Sequence, residues 1–226
     1  MRAVPPGCLA LAVLFFFLLL PFVLADVTLT ALAKLGLGPT TSLLAAAGIF
    51  LGGLVNIPVK RLVREETVEV PAVRLFGLGQ LMPQWVRRQT YTVIAVNVGG
   101  CLVPTLLAAY QLVRLADAGT GTLAAALAAI AINTAVCYWA ARPVPQVGIA
   151  MPALVPALTA AACAYLFAPA SAPPVAFAAG VLGPLLGADL LHLDDIKRIG
   201  AGVASIGGAG TFDGIVLSGL VATVLA

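Results

Sequence analysis

Charged side chains are scarce in this sequence. Asp, Glu, Lys and Arg make up 9% of its 226 residues, whereas a soluble domain carries about 25%. Hydrophobic residues make up 62%, which leaves too few polar residues to cover a water-facing surface. A soluble globular domain is therefore excluded, and we expect a lipid bilayer to be the main solvent of the chain. The small net charge of +3 gives no indication of nucleic-acid binding.

Residues that bind metals are also scarce. The four cysteines lie in apolar stretches without CxxC spacing, so we interpret them as small buried hydrophobic residues. The single histidine, His192, stands near Asp189, Asp194 and Asp195. A lone histidine beside acidic residues is more typical of a solvated helix end than of a metal site with HExxH or Cys/His spacing. We therefore expect neither a metal nor a cofactor.

Long apolar runs are abundant. A transmembrane helix needs about 20 mostly apolar residues, and seven runs approach or reach that length: 8–25, 38–57, 91–113, 122–141, 147–168, 174–193 and 203–225. They predict an all-α, polytopic membrane bundle of about seven transmembrane helices, forming one domain over residues 1–226. Residues 1–25 also fit a cleaved signal peptide, which would leave six spans.

The distribution of Lys and Arg predicts the orientation of the bundle. With a cytoplasmic N-terminus, the inner segments hold ten of these residues: Arg2, Lys60, Arg61, Arg64, Arg74, Arg87, Arg88, Arg142, Lys197 and Arg198. The outer segments hold two, Lys34 and Arg114. We therefore expect a multi-pass membrane protein with its N-terminus in the cytoplasm.

Polar and helix-breaking residues interrupt this pattern. Residues 60–90 form the one sizeable polar segment, which predicts a cytoplasmic loop between the second and third spans, with a small surface hairpin as the alternative. Pro and Gly recur within the spans, as at Pro104, Pro156 and Gly183-Pro184. Each proline frees a helix carbonyl, and such broken helices recur in transporters and intramembrane enzymes.

Two carboxylates lie within the last two predicted spans. An aspartate at mid-bilayer costs about 2.5–3.5 kcal/mol on insertion scales, so Asp189 and Asp213 favour a functional role. The sixth and seventh spans are antiparallel neighbours, which would bring both aspartates to the cytoplasmic side. Gly207, Gly210, Gly214 and Ser218 form a smooth helix face that permits close packing beside Asp213.

Three functions fit such a pair. Two adjacent carboxylates that share one proton can activate water, as aspartyl proteolysis requires. The same pair could bind a coupling proton or sodium ion in a transporter or permease, with Asn97 and Asn133 completing a polar site within the membrane. The third alternative is a non-catalytic membrane scaffold, in which each Asp caps or hydrogen-bonds a broken helix.

Several motifs resemble those of an uncharacterised family of bacterial and archaeal membrane proteins. The motifs are Asn56-Ile57-Pro58, Val96-Asn97-Val98-Gly99-Gly100, Arg142-Pro143-Val144-Pro145, Gly187-Ala188-Asp189-Leu190-Leu191 and the glycine-rich run from Ser205 to Ile215. The resemblance covers nearly the whole chain. The resemblance implies a multi-pass protein of a prokaryotic inner membrane and no particular activity.

The two aspartates also resemble those of the GxGD intramembrane aspartyl proteases, the presenilin and signal peptide peptidase group. Their order and topology match, but neither Asp189 nor Asp213 follows Gly-x-Gly. Pro152-Ala153-Leu154 resembles the Pro-Ala-Leu motif of that group, although here it precedes the aspartates. This resemblance implies a catalytic pair, Asp189 and Asp213, that cleaves transmembrane peptides.

The leading prediction is therefore an intramembrane aspartyl protease. Candidate substrate-binding residues are Pro152, Ala153, Leu154, Asn97 and Gly210. The partners expected are the lipid bilayer and either transmembrane peptides or a small ion or solute.

Overall fold

The computed structural model describes residues 6–70, 84–144, 148–152, 154–195, 202–208 and 213–226. Seven α-helices lie in these ranges: α1 Pro6–Lys34, α2 Pro39–Gly52, α3 Val103–Ala118, α4 Thr120–Ala140, α5 Leu154–Phe167, α6 Ala172–Pro184 and α7 Gly214–Leu225. A π-helical segment, Val98–Leu102, precedes α3, and a second, Leu185–Leu190, continues α6. A short 3-10 turn, Pro169–Ser171, leads into α6.

The prediction of a helical membrane bundle is confirmed in its coarser form. Four helical stretches are long and apolar enough to cross a membrane: Phe17–Lys34, Val98–Ala118, Thr120–Ala140 and Pro169–Asp195. The apolar helices α2, α5 and α7 are shorter, with 14, 14 and 12 residues. Large apolar side chains such as Phe22, Leu51 and Leu166 are at least 68% exposed. An exposed apolar surface of this kind fits a lipid bilayer.

A β-hairpin corrects the predicted boundaries of the second and third spans. Strand β1, Asn56–Val70, pairs antiparallel with β2, Gln84–Asn97. Residues 91–97 thus belong to a strand, although the sequence predicted them within a span. The reason is that Thr92, Ile94 and Val96 are β-branched and recur at every second position, so they share one face of a pleated strand, while the hydropathy of the run resembles that of a membrane helix. Residues 60–70 and 84–90 of the polar segment lie in these two strands, as the hairpin alternative expected, and a cytoplasmic location of the segment stays a prediction.

Two further pairings extend the β-structure. Strand β5, Val203–Ile206, lies parallel to β2, giving a three-stranded sheet of order β1-β2-β5. Strands β3, Arg142–Val144, and β4, Gly148–Ala150, form a separate small hairpin. Because β5 contains residues that were predicted to belong to the seventh span, the helix of that span, α7, begins only at Gly214.

Helix α6 forms the centre of the bundle and packs against α3, α4, α5 and α7. Small residues make this possible, since Ala176, Ala178 and Ala179 are completely buried. Gly180 lies against the backbone of α7, and a Cβ on Gly183 would fall 2.5 Å from Nδ2 of Asn133 on α4. In a membrane, such small residues let helices approach backbone to backbone.

The bundle has two ends that can be recognised by their contacts. At one end, called the hairpin end, the C-terminus of α2 meets the chain just before the π-helical segment that precedes α3, and the end of α6 meets the start of α7. At the other, called the Lys34 end, Nζ of Lys34 donates to the Val224 carbonyl, and the Tyr165 hydroxyl donates to the Leu225 carbonyl. A cytoplasmic location of the hairpin end stays a prediction.

Candidate functional site

Asp189 and Asp213 line one cavity of about 90 Å³ at the hairpin end. The cavity is bounded by Ile149, Met151, Pro184, Ala188, Asp189, Asp213, Gly214 and Ile215. A water molecule occupies about 30 Å³ in the liquid, so several waters fit here and a peptide helix does not. The structure therefore brings the two predicted catalytic residues to a shared, small and partly apolar space.

Asp213 is fixed by its position at the start of α7. It is the N-cap residue, with extended backbone angles (φ −70°, ψ 148°), and its Oδ1 accepts a hydrogen bond of 2.9 Å from the backbone N–H of Ile215. An N-cap carboxylate satisfies a helix donor that has no partner within the helix. This bond orients the Asp213 carboxyl group relative to the cavity.

Asp189 is positioned by the π-helical segment that continues α6. π-Helical turns are rare and occur frequently at functional sites. Pro184, immediately before the segment, lacks a backbone donor, which favours such an irregularity. Gly183 and Gly187 face α4, while partly buried Asp189 lines the cavity next to the start of α7. Gly183 and Gly187 thus allow one side of α6 and its π-helical continuation to pack against α4, and Asp189 lies on the side next to α7.

The segment before α5 forms another wall of the cavity. Ile149 of β4 and Met151 line it. The Pro-Ala-Leu tripeptide follows Met151 directly in the sequence. Pro152 and Leu154 are exposed and are not among the lining residues. Ala153 and Gly210, both predicted to bind substrate, lie outside the described residues. Sequence reasoning missed Ile149 and Met151, because nothing in their local pattern marks a contact with residues about 40–60 positions later.

Asn97 has a position different from that expected of a substrate-binding residue. Its side chain is completely buried and does not line the cavity. Nδ2 donates to the Gly53 carbonyl at 2.8 Å and to Oδ1 of Asn56 at 3.1 Å, while Oδ1 accepts from the Gly100 N–H at 2.6 Å. These contacts join the hairpin to α2 and to the helix that follows. Its role in substrate binding stays a prediction.

The Asn97 contacts predict a large structural effect. We expect Asn97→Ala to lower the free energy of unfolding by about 2–3 kcal/mol, because it leaves buried partners unsatisfied. Asn133→Ala is the matched comparison. Among the described residues, Nδ2 of Asn133 donates to the Ala179 carbonyl at 2.8 Å and its Oδ1 accepts only a long, weak contact of 3.8 Å from Sγ of Cys137, so the loss of this side chain should cost about 1 kcal/mol. Thermal unfolding in detergent measures both. Equal melting temperatures for Asn97→Ala and the wild type would contradict this role.

His192 does not line the cavity either. Its Nδ1 lies 3.0 Å from the Gly187 carbonyl oxygen, and its ring centroid is 4.8 Å from that of Tyr138. These contacts hold the chain at the end of the π-helical segment. Within the described ranges, no group of three His, Cys, Asp or Glu side chains is arranged to hold a metal ion.

Comparison with known proteins gives a family. No curated protein and no solved structure matches the chain. A family model described as "Protein of unknown function (DUF1614)" matches residues 50–225. This range contains the hairpin, the Asn97 contacts and both aspartates of the cavity, and it covers more than half of the sequence. The chain therefore belongs to the DUF1614 family of proteins of unknown function.

Proposed function

We propose that this protein is an intramembrane aspartyl protease with Asp189 and Asp213 as its catalytic pair. The observation that supports this proposal is the shared cavity of about 90 Å³, into which the end of α6 and the start of α7 each place one carboxyl group. The site lies at an end of the bundle, where water can reach it and where a membrane-spanning peptide leaves the apolar phase.

The proposed chemistry uses one water molecule and one shared proton. Two carboxyl groups at close range retain one proton between them, because two negative charges side by side are costly. The ionised carboxylate takes a proton from water, whose oxygen attacks the peptide carbonyl carbon. The protonated carboxyl group donates its proton to the carbonyl oxygen. When the tetrahedral intermediate collapses, the carboxyl group that took the proton from water gives it to the nitrogen, and the C–N bond breaks. The other carboxylate takes a proton back from a hydroxyl of the intermediate, so an amine and a carboxylic acid leave and the pair again holds one proton.

The walls of the cavity indicate where substrate would bind. Because the cavity has room only for water molecules, the scissile peptide must approach from the edge of the cavity in an unwound, extended form. Met151 lines the cavity and is followed directly by Pro152, which is exposed. We therefore place the substrate beside the segment from Met151 to Leu154, whose Leu154 side chain is 64% exposed.

A transition-state analogue tests the pair without a known substrate. We would use a statine-containing peptide with a photoreactive group, since its hydroxyl takes the position of the attacking water between two carboxyls, and such analogues bind far more tightly than substrates. Labelling of the wild type should be lost in Asp189→Asn and in Asp213→Asn. It should persist in Asp117→Asn, which changes an exposed carboxylate of α3. Equal labelling of all four proteins would refute the proposal.

A second candidate function, ion-coupled transport, is favoured by two buried hydroxyls. Oγ of Ser218 on α7 and Oγ1 of Thr134 on α4 are buried and have no hydrogen-bond partner within the described residues. Both lie deeper in the bundle than the aspartates, and unsatisfied polar atoms in a membrane protein can mark an ion path. Proton or sodium flux into proteoliposomes that is lost in Asp213→Asn would support transport. No flux with either gradient would exclude it.

A further inference from the structure

Asp26 is an acidic residue on the side of α1 that faces away from the bundle. Thr28, Ala31 and Leu32 are completely buried and mark the side of α1 that packs on the other helices. At about 100° per residue, Asp26 lies roughly 170° around the helix from that side. Its side chain is exposed, and it makes no ion pair or hydrogen bond within the part of the chain that the structure describes. The bundle therefore provides no partner for this carboxyl group.

The depth of Asp26 makes this exposure unfavourable. Helix α1 ends at Lys34, so Asp26 lies about 12 Å along the helix from the Lys34 end of the bundle. Helix α4 crosses the bundle with 21 residues, a length of about 31 Å. Asp26 is thus near the middle of the apolar layer, which is about 30 Å thick in a bilayer. A carboxyl group facing hydrocarbon at this depth is costly, which indicates that another molecule covers it.

The residues around Asp26 have the spacing of a helix–helix contact. Six exposed residues, called the α1 seam, recur at alternating intervals of four and three: Phe15, Leu19, Phe22, Asp26, Leu29 and Ala33. A mean spacing of 3.5 residues is that of the a and d positions of a left-handed coiled coil. Most transmembrane helix pairs cross with a similar geometry. The α1 seam therefore fits a second helix over a length of about 27 Å.

A second copy of the chain matches the α1 seam in both depth and chemistry. Two copies inserted in the same direction place identical seams side by side, and a two-fold axis along the membrane normal relates them. Each Asp26 then meets its counterpart at the same depth. A carboxyl group that carries its proton is both a donor and an acceptor, so the two side chains can hydrogen-bond each other. One polar residue in an otherwise apolar seam also fixes the register of the two helices.

The other complement to a carboxylate is a cation, and the described part of this chain offers none at the depth of Asp26. Its Lys and Arg residues lie in the β-strands or in the last five residues of α1 and α3. We propose that α1 joins two copies of this protein in the membrane as a parallel helix pair, with Asp26 facing Asp26 within the α1 seam. This interface is independent of the proposed proteolysis.

The test measures energy transfer between full chains in liposomes, with donor and acceptor dyes on an added C-terminal tag. The wild type should associate with a stoichiometry of two copies. Asp26→Leu keeps the apolar seam and removes the hydrogen bond, so association should weaken about tenfold. Asp26→Asn should associate nearly as the wild type does, because an amide also donates and accepts. Asp117→Leu, which changes an exposed carboxylate of α3, is the matched control and should also behave as the wild type.

Photo-cross-linking locates the interface without changing Asp26. Benzoylphenylalanine in place of Phe22, within the α1 seam, should give a covalent dimer on illumination. The same group in place of Leu14, which is exposed but lies roughly 100° around the helix from the seam, should give little. Both sites face away from the bundle's core, so neither replacement should alter the melting temperature.

The intact mass of the purified protein is measured first, because residues 1–25 also fit a cleaved signal peptide. A chain that begins at Asp26 would overturn the proposal, since it lacks Phe15, Leu19 and Phe22 of the seam. A monomeric wild type would also overturn it and would assign Asp26 to a different membrane protein. Equal association of Asp26→Leu and the wild type, or equal cross-linking from both positions, would be equally decisive against it. None of these results bears on Asp189 and Asp213.

Discussion

Asp189→Asn and Asp213→Asn are each expected to reduce peptide cleavage by about a hundredfold to ten-thousandfold. Each removes one partner of an acid–base pair, and a positioned acid or base contributes about 10²–10⁴ to the rate. The measurement is the appearance of fragments, by mass spectrometry, from a panel of synthetic transmembrane peptides reconstituted with the protein in liposomes. Asp117→Asn, which changes an exposed carboxylate near the Lys34 end, serves as the control and should cleave as the wild type does.

Asp213→Asn removes the carboxyl group needed for catalysis while keeping a side chain that can cap the helix. Asn is as good an N-cap as Asp, so the hydrogen bond from the Ile215 N–H can be retained and the melting temperature should change little. Asp213→Ser, which also caps a helix, should be equally inactive. Asp213→Ala, by contrast, removes the cap and should cost about 1 kcal/mol of stability as well.

The outcomes distinguish the three functions considered from the sequence. Cleavage by the wild type that persists in either Asn variant would refute the catalytic pair. No cleavage by any protein, with sodium or proton flux that depends on Asp213, would favour the transporter. A scaffold would show neither activity and would tolerate Asp213→Asn without loss of its biological role.

The helices could be predicted from sequence because continuous apolar runs of sufficient length usually form membrane-spanning helices. The errors occurred where apolar residues are also β-branched. The run 91–97 is apolar enough for a span, yet it pairs with residues 56–63 of β1, with a shift of register between Pro58 and Lys60. Pairing with a strand about 35 residues earlier is a long-range property, and a hydropathy window does not contain it. The same reason applies to β5, which joins β2 from more than 100 residues away.

The candidate site was predicted in part. Topology alone places Asp189 and Asp213 at the same end of antiparallel neighbours, and they do line one cavity. Helix capping by Asp213 was one of the alternatives considered from the sequence, but the cap could not be placed, because the apolar run continued across the true start of the helix at Gly214. Nor could it show the partners of Asn97. An amide in an apolar segment indicates a buried polar contact, but its bonds to Gly53 and Asn56 depend on the folded sheet.

The glycines near Asn97 belong to one of the motifs that resemble the family, and close backbone contact is their structural reason. Gly99 lies against the backbone of Ile49 and Gly53, and Gly100 lies against the carbonyl of Gly207. Ser205, two residues before Gly207, donates to Oδ1 of Asn56 at 2.5 Å. Three segments far apart in sequence therefore meet at one point at the hairpin end, and side chains larger than hydrogen do not fit there.

Gly100→Ala should accordingly be among the most damaging single substitutions in the chain. The new Cβ would collide with the Gly207 carbonyl oxygen and would lie 3.1 Å from Oδ1 of Asn97. Because the obstacle is backbone, no side-chain rotation relieves it, and we expect a loss of at least about 3 kcal/mol. For a chain of this size, that corresponds to a melting temperature lower by roughly 6–12 °C. Thermal unfolding in detergent measures the change.

Gly121→Ala is the matched control for this substitution. Gly121 lies in the first turn of α4, and a Cβ added there would have no neighbouring atom within 4 Å. This variant should be neutral or slightly stabilised, because alanine favours helix. The Gly207 turn connects β5 to the segment that leads to Asp213, so Gly100→Ala should also displace Asp213 and abolish labelling by the statine probe. Wild-type stability and labelling in Gly100→Ala would show that the contact between the two backbones is not required.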